Sequence, residues 1–306
     1  MIRRTFFAGL FILFGATACA WTPDIPRAEL AEKYLAAPSD LKEVDGTVLH
    51  VRDTGPRNAR VLVLIHGFGS SLHTWDAWAK ELERSYRVIR FDMPGAGLSP
   101  PDPKRDYTDP RVTGLIASLM DQVNIPHATL IGNSIGGRIA WTMAASHPER
   151  VDALVLIAPD GFASPFLQYG ETIKAPVILK ASKYFLPQWA LKPNLAAAYA
   201  DKEKLSDETL NRYHELLLAS GNRAALIDRL EQTVITDPIP RLRSITAPVL
   251  LLWGEKDGII PISNAQDYLD ALPNARLATL PGLGHVPMEE NPEQSLAPVQ
   301  EFLNKK

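Results

Sequence analysis

Three residues in separate stretches of the chain have the types needed to activate a hydroxyl. They are Ser134 in Gly132-Asn133-Ser134-Ile135-Gly136, Asp257 in WGEKDGIIP (253–261) and His285 in GLGHVPMEENPE (282–293). A serine hydroxyl is a weak nucleophile at neutral pH. It attacks a carbonyl only when a base takes its proton, a third group orients that base, and donors hold the oxyanion that forms. His285 has the chemistry of the base and Asp257 that of the orienting acid. Asp160, after the VLIAP strand, is a second candidate for the acid. The backbone N–H groups of Phe68, in HGFGSS (66–71), and of Ile135 are the candidate oxyanion donors, and His66 suits a structural role in the same loop. The seven histidines show no ligand-spaced cluster, so neither a metal nor another cofactor is expected.

The pentapeptide alone is weak evidence, since a random chain of this length holds roughly 0.1 such matches. Its surroundings are stronger. The apolar run ATLIGN precedes Ser134 and a helical pattern over 135–146 follows. A sharp turn between strand and helix lifts a side chain out of the sheet and aims the first helical N–H groups at developing charge. Small neighbours must flank such a turn, and Gly132, Gly136 and Gly137 do.

The other elements follow from periodicity and punctuation. A hairpin is expected around Asp45-Gly46, buried strands over 60–69 and 86–97, and further strands over 127–133, 151–159, 247–257 and 275–285. Helices are expected near 74–84, 111–124 and 135–146 and at the C-terminus. Strands alternating with helices imply an α/β fold, its sheet mostly parallel and covered on both faces. Residues 162–240 break the rhythm with helical patterns only. Their aromatic residues, Phe162, Phe166, Tyr169, Tyr184, Phe185, Trp189 and Tyr199, are expected to build mainly that segment's own core. The division is thus a core over 41–161 and 241–306, a helical insertion over 162–240, and a tether with a surface helix over 19–40.

Residues 1–18 read as an export signal, with a basic start and a short uncharged apolar run. That run is shorter than the roughly 20 residues needed to span a bilayer as a helix. Ala16-Thr17-Ala18-Cys19 resembles a bacterial lipobox, which implies lipidation of Cys19. Ala20 in the next position, rather than aspartate, implies the periplasmic face of the outer membrane. The alternative is a plain cleaved signal and a secreted or periplasmic protein. With 46% hydrophobic and 22% charged residues and a net charge of −3, no basic stripe points to nucleic acid.

The order Ser134, Asp257, His285, with HGFGSS and with FDMPGAGLS (91–99), resembles the α/β-hydrolase superfamily over about residues 41–306. The resemblance implies that these three residues form a catalytic triad and that 162–240 is the cap. GNSIGGR and GHVPMEENPE are most similar to bacterial lipases and esterases of the monoacylglycerol-lipase type. That implies a carboxylic ester substrate, a small molecule or a lipid ester, at a membrane surface if Cys19 carries lipid. Ser134 stands where haloalkane dehalogenases and epoxide hydrolases use aspartate. Hydrolases of meta-cleavage products share the GNS-x-GG elbow but usually carry Trp after the histidine, where this chain has Val286. Carbon–carbon bond hydrolysis is therefore the alternative activity. A non-catalytic binding lipoprotein on the same fold is the alternative of another class.

Overall fold

The computed structural model describes residues 21–164 and 168–305. The expected leader, Cys19 and Phe166 lie outside the described residues. Residues Leu41–Val44 (β1) and Thr47–Thr54 (β2) form the expected hairpin, with φ of 44° at Asp45 and 74° at Gly46. Positive φ at both central residues is what a two-residue hairpin turn of this twist requires. The remaining strands are Val61–Ile65 (β3), Arg87–Phe91 (β4), Ala128–Asn133 (β5), Val151–Ile157 (β6), Val249–Gly254 (β7) and Ala275–Leu280 (β8). They form one sheet in the order β1-β2-β4-β3-β5-β6-β7-β8. β2 runs antiparallel to β1 and β4, and the pairs from β4 through β8 are parallel.

Side chains on a strand alternate between faces, and the central strands are apolar at both parities. Val63, Ile65, Leu130, Leu154, Leu156, Leu251 and Trp253 join one buried cluster. Leu62, Leu64, Ile131, Val155, Ile157, Leu250 and Leu252 join the other. Each cluster needs a helical layer. The first is closed by Asp109–Gln122 (α3), Ile135–Ser146 (α4), Ile239–Ser244 (α9) and Asn264–Ala271 (α10). The second is closed by Asp76–Leu82 (α2), Pro287–Glu290 (α11) and Pro292–Asn304 (α12). Helix starts follow local chemistry. The Thr108 hydroxyl accepts from Arg111 N at the head of α3, and the Asn291 side chain accepts from Gln294 N at the head of α12.

Between β6 and β7 lie Val177–Ala181 (α5), Gln188–Ala196 (α6), Asp207–Leu217 (α7) and Asn222–Gln232 (α8). These helices fall in the insertion that the family resemblance implies is a cap. Its aromatic residues do not form its core, contrary to expectation. Tyr199 is buried and Phe162 packs edge-on against Tyr268, but Tyr169, Tyr184, Phe185 and Trp189 are exposed. The reason is local. Pro176 and Pro187 stand at the starts of α5 and α6 and Pro193 lies inside α6, and proline's missing N–H and fixed φ disfavour one long amphipathic helix. Leu205, Leu210, Leu216 and Ala219, further along, are buried instead.

The segment expected as a tether is seated on this cap from Trp21 onward. Arg27–Tyr34 (α1) buries Leu30 and Tyr34 against Leu98 of the core and Leu216 and Ala219 of the cap. Ile25 pairs with Ala219 as a short parallel bridge.

The turn after β5 tolerates no side chain at its glycines. A Cβ on Gly136 would lie 2.2 Å from Ile65 O and 2.6 Å from His66 O, and one on Gly132 would lie 2.2 Å from Gly136 O. Backbone atoms cannot move aside for it. Gly136→Ala is therefore expected to fail to fold or to lose most of its thermal stability. Gly114→Ala, mid-helix in α3 with nothing within 4 Å of the added methyl, should gain about 0.5–1 kcal/mol. Thermal denaturation of the two variants beside the parent chain checks both.

Candidate active site

Ser134 sits between β5 and α4 with φ 57° and ψ −123°. A left-handed conformation at a non-glycine residue persists only when its surroundings over-determine it. Here its N–H donates to Ile157 O at 3.0 Å, and its carbonyl accepts from Gly137 N, Arg138 N and Asp160 N at 2.9–3.1 Å. These bonds peg the turn to β6 and to the first turn of α4, and leave the hydroxyl at the carboxyl edge of the sheet.

Asp257 and His285 are joined directly. His285 Nδ1 and Asp257 Oδ2 are 2.7 Å apart, and both residues are buried. The second carboxylate oxygen of Asp257 accepts from Ile259 N at 2.8 Å and Ile260 N at 2.9 Å, which fixes the carboxylate in its turn. The rival acid has another partner. Asp160 Oδ2 accepts from Arg138 at 2.8 Å, and Arg138 also pairs with Asp109. Ser134 Oγ makes no hydrogen bond among the described residues. The link between the serine turn and the histidine loop runs through its neighbour. Asn133 Nδ2 donates to His285 O at 3.0 Å and to Ile157 O at 3.2 Å.

The loop carrying Phe68 packs on the same turn, since a methyl on Gly67 would lie 3.4 Å from Ser134 Cβ. Among the described residues, the N–H groups of Phe68 and Ile135 donate to no other protein group. Two undonated N–H groups beside a hydroxyl are what an oxyanion requires. His66 holds this loop. Its Nε2 accepts from Met93 N at 3.0 Å, so the proton is on Nδ1, which donates to Gly67 O at 2.8 Å. Burial pushes its imidazole below the ordinary histidine value, against the pull of the Asp92 carboxylate. Asp92, fully buried, accepts from Leu72 N and Leu98 N and meets His50 Nδ1 at 2.7 Å.

Two further residues hold the histidine loop under the cap. Glu290, buried, accepts from Gly284 N at 2.7 Å and from Asp201 N at 2.8 Å. Glu289 accepts from Tyr199 at 2.5 Å, Arg212 at 2.9 Å and Tyr213 at 3.2 Å. The Tyr213 hydroxyl lies 3.1 Å from Ser70 Oγ of the Phe68 loop. Burial, reinforced by Glu289, pushes the Tyr199 and Tyr213 hydroxyls far above the usual tyrosine range, so both stay protonated. His285 N itself donates to Ala198 O of the cap at 2.7 Å. Both glutamates lie in the sequence stretch after His285, yet no pattern there marks them as cap anchors, because their partners are some 80 residues earlier. A cavity of about 330 Å³ between α4 and the end of the cap is lined by Tyr107, Arg138, Trp141 and Val234, and none of Ser134, Asp257 and His285 lines it.

The depressed His66 value sets a pH dependence. The unfolded chain, with the ordinary value of 6.5, binds this proton more readily than the folded one. Stability from this group is therefore complete above pH 6.5 and falls as pH drops toward the lower folded value. The loss should approach about 1.4 kcal/mol per pH unit in that window. His66→Gln, whose amide can accept from Met93 N, should lack this component in denaturant titrations repeated across pH. Equal pH slopes in the two proteins would contradict the assignment.

A family model for the alpha/beta hydrolase fold matches residues 60–292. The chain is 32% identical over 267 residues to the dihydrolipoyllysine-residue acetyltransferase component of the acetoin cleaving system of Pseudomonas putida, covering 86% of this chain and 68% of that protein. It is 31% identical over 277 residues to a 2-hydroxy-6-oxononadienedioate/2-hydroxy-6-oxononatrienedioate hydrolase of Burkholderia vietnamiensis, covering 85% and 93%. A crystal structure described as a membrane phospholipase A, a novel bacterial virulence factor, matches with a TM-score of 0.74 at 26% identity over 97% of each chain. The eight-stranded sheet, the strained serine between β5 and α4 and the family match over most of the sequence lead to one conclusion: the chain belongs to the alpha/beta hydrolase fold family and is a hydrolase.

Proposed function

We propose that the protein cleaves carboxylic esters through an acyl-enzyme on Ser134, with Asp257 and His285 completing the triad. The observation that carries this reading is the 2.7 Å contact from Asp257 to His285 Nδ1, beside a strained serine flanked by two undonated N–H groups. With Nδ1 held by the carboxylate, Nε2 is the nitrogen left to take a proton. Ser134 Oγ attacks the ester carbonyl as Nε2 removes its proton. The carbonyl electrons move to oxygen, where the Phe68 and Ile135 N–H groups hold the charge. Collapse breaks the carbon–oxygen bond to the alcohol, which leaves with the proton from Nε2. Water then attacks the acyl carbon, gives a proton to His285, and the serine departs protonated.

Lipid esters are the favoured class. The similarity to a protein described as a membrane phospholipase A supports ester and lipid together. An export signal ending at a lipobox-like Cys19 supports a substrate met at a membrane surface. We place the protein at the periplasmic face of the outer membrane, with Cys19 lipidated. Intact-mass measurement of the mature protein should show the lipid addition, absent from Cys19→Ser. An unmodified mature protein would refute this placement. Carbon–carbon hydrolysis is the second reading, favoured by the Burkholderia relative that is covered over 93% of its length. Val286 in place of the usual tryptophan weighs against it.

Turnover of p-nitrophenyl esters from acetate to palmitate tests the reading. The parent chain should peak at one chain length, and Ser134→Ala should lose about 10⁴-fold or more. Asp257→Asn should lose about 10⁴-fold in kcat with KM little changed. Asp160→Asn should keep kcat and lower only thermal stability, because Asp160 faces Arg138. Turnover of a meta-cleavage product with none on any ester would exchange the two readings.

A further inference from the structure

The cap exposes an apolar face that the fold leaves uncovered. Val177 and Ile178 are 84% and 83% exposed, Trp189 70% and Tyr184 58%, with Phe185 beside them. These residues lie together. Tyr184 N and Phe185 N both donate to Ala181 O at the end of α5, and the Phe185 and Trp189 rings meet at 6.0 Å. Trp21 extends the patch, 56% exposed and 5.4 Å from the Tyr184 ring. Contiguous exposed apolar surface of this kind marks a contact with another phase or molecule.

Two observations choose the occupant. The first is where the chain enters. Thr22 N donates to Tyr184 O at 2.8 Å, Leu186 N donates to the Thr22 hydroxyl at 3.0 Å, and Arg223 holds Thr22 O at 2.8 Å. The chain before Trp21 therefore joins the described fold at this face. Residues 5–20 of it carry no charge and are largely apolar. Whatever holds that segment at a bilayer brings the cap face within reach of the same bilayer, at high effective concentration. The second observation is charge. Residues 172–200 contain Lys174, Lys180, Lys183 and Lys192 and no Asp or Glu, although acidic residues outnumber basic ones over the whole chain. Of these, Lys180 pairs with Glu231. Aromatic and aliphatic side chains interspersed along the sequence with lysines are the composition that seats at the boundary of acyl chains and anionic headgroups.

We propose that this face of the cap docks on an anionic phospholipid bilayer, with Val177, Ile178 and Trp189 entering the headgroup–acyl boundary. The chain before Trp21 supplies tethering, and the cap face sets orientation, placing the cap rather than the C-terminal helix against the lipid. The inference is independent of which bond the enzyme cleaves.

The test uses the full chain in vesicles of phosphatidylcholine and phosphatidylglycerol with brominated acyl chains. Trp75, Trp78, Trp141 and Trp253 are buried, so Trp21→Phe leaves Trp189 as the one exposed indole among the described tryptophans. Its emission should be strongly quenched by the brominated lipid, and less so in vesicles of phosphatidylcholine alone or at high salt. Adding Val177→Asp and Ile178→Asp should abolish the quenching while the protein still floats with the vesicles and its unfolding midpoint stays unchanged. Unquenched Trp189 in vesicle-bound protein would overturn the proposal. So would a dimer that the Val177→Asp and Ile178→Asp variant dissociates, since the face would then be covered by a second copy.

Discussion

The left-handed backbone of Ser134 is the constraint on which the rest of the active edge depends. Holding a non-glycine residue there costs about 1–3 kcal/mol, and the cost is met by four backbone hydrogen bonds that converge on one residue. Those bonds form only if β5, β6 and α4 approach closely. That approach in turn forbids side chains at Gly132 and Gly136, where an added methyl would enter backbone atoms. The same closeness brings the His66–Phe68 loop onto the turn and lets the Asn133 amide reach His285 O.

The edge is closed by buried polar groups that tie distant segments together. Asp92 gathers Leu72 N, Leu98 N and His50 in the core. Arg229 of the cap reaches Pro94 O and stacks on Tyr107, and burial lowers its guanidinium to about 10, still cationic at neutral pH. Glu289 and Glu290 bind the cap to the loop that follows His285. An unpartnered buried charge costs far more than a paired one. Each of these groups therefore makes the position of one element depend on another. The cap is in this sense part of the histidine's setting, since His285 N and Gly284 N are both held through contacts to it or beside it.

The cap has two unlike surfaces. Toward the core it is anchored by Tyr199, Arg212, Tyr213 and Arg229, whose polar groups are satisfied. Away from the core its first half exposes aliphatic and aromatic side chains among lysines. Prolines explain how both arise in one segment. They interrupt helix formation, so the chain between 172 and 193 turns too often to bury its apolar residues against itself.

By itself the sequence determined the strand pattern, the helix positions and the serine turn. Each is written in short-range signals: apolar runs of both parities, Asp45-Gly46 at the hairpin, and glycines around Ser134. The order of Ser134, Asp257 and His285 was legible too, as motifs at the ends of recognisable strands. Tertiary structure decided what depends on distance. It set Asp257 rather than Asp160 on His285, because Arg138 on α4 takes the other carboxylate. It also revealed Glu289 and Glu290 as cap anchors and showed the cap's aromatic residues facing outward. Local pattern reports which residues are apolar or charged. Which partner each one meets is settled only when β6, β7 and the cap are brought together in space.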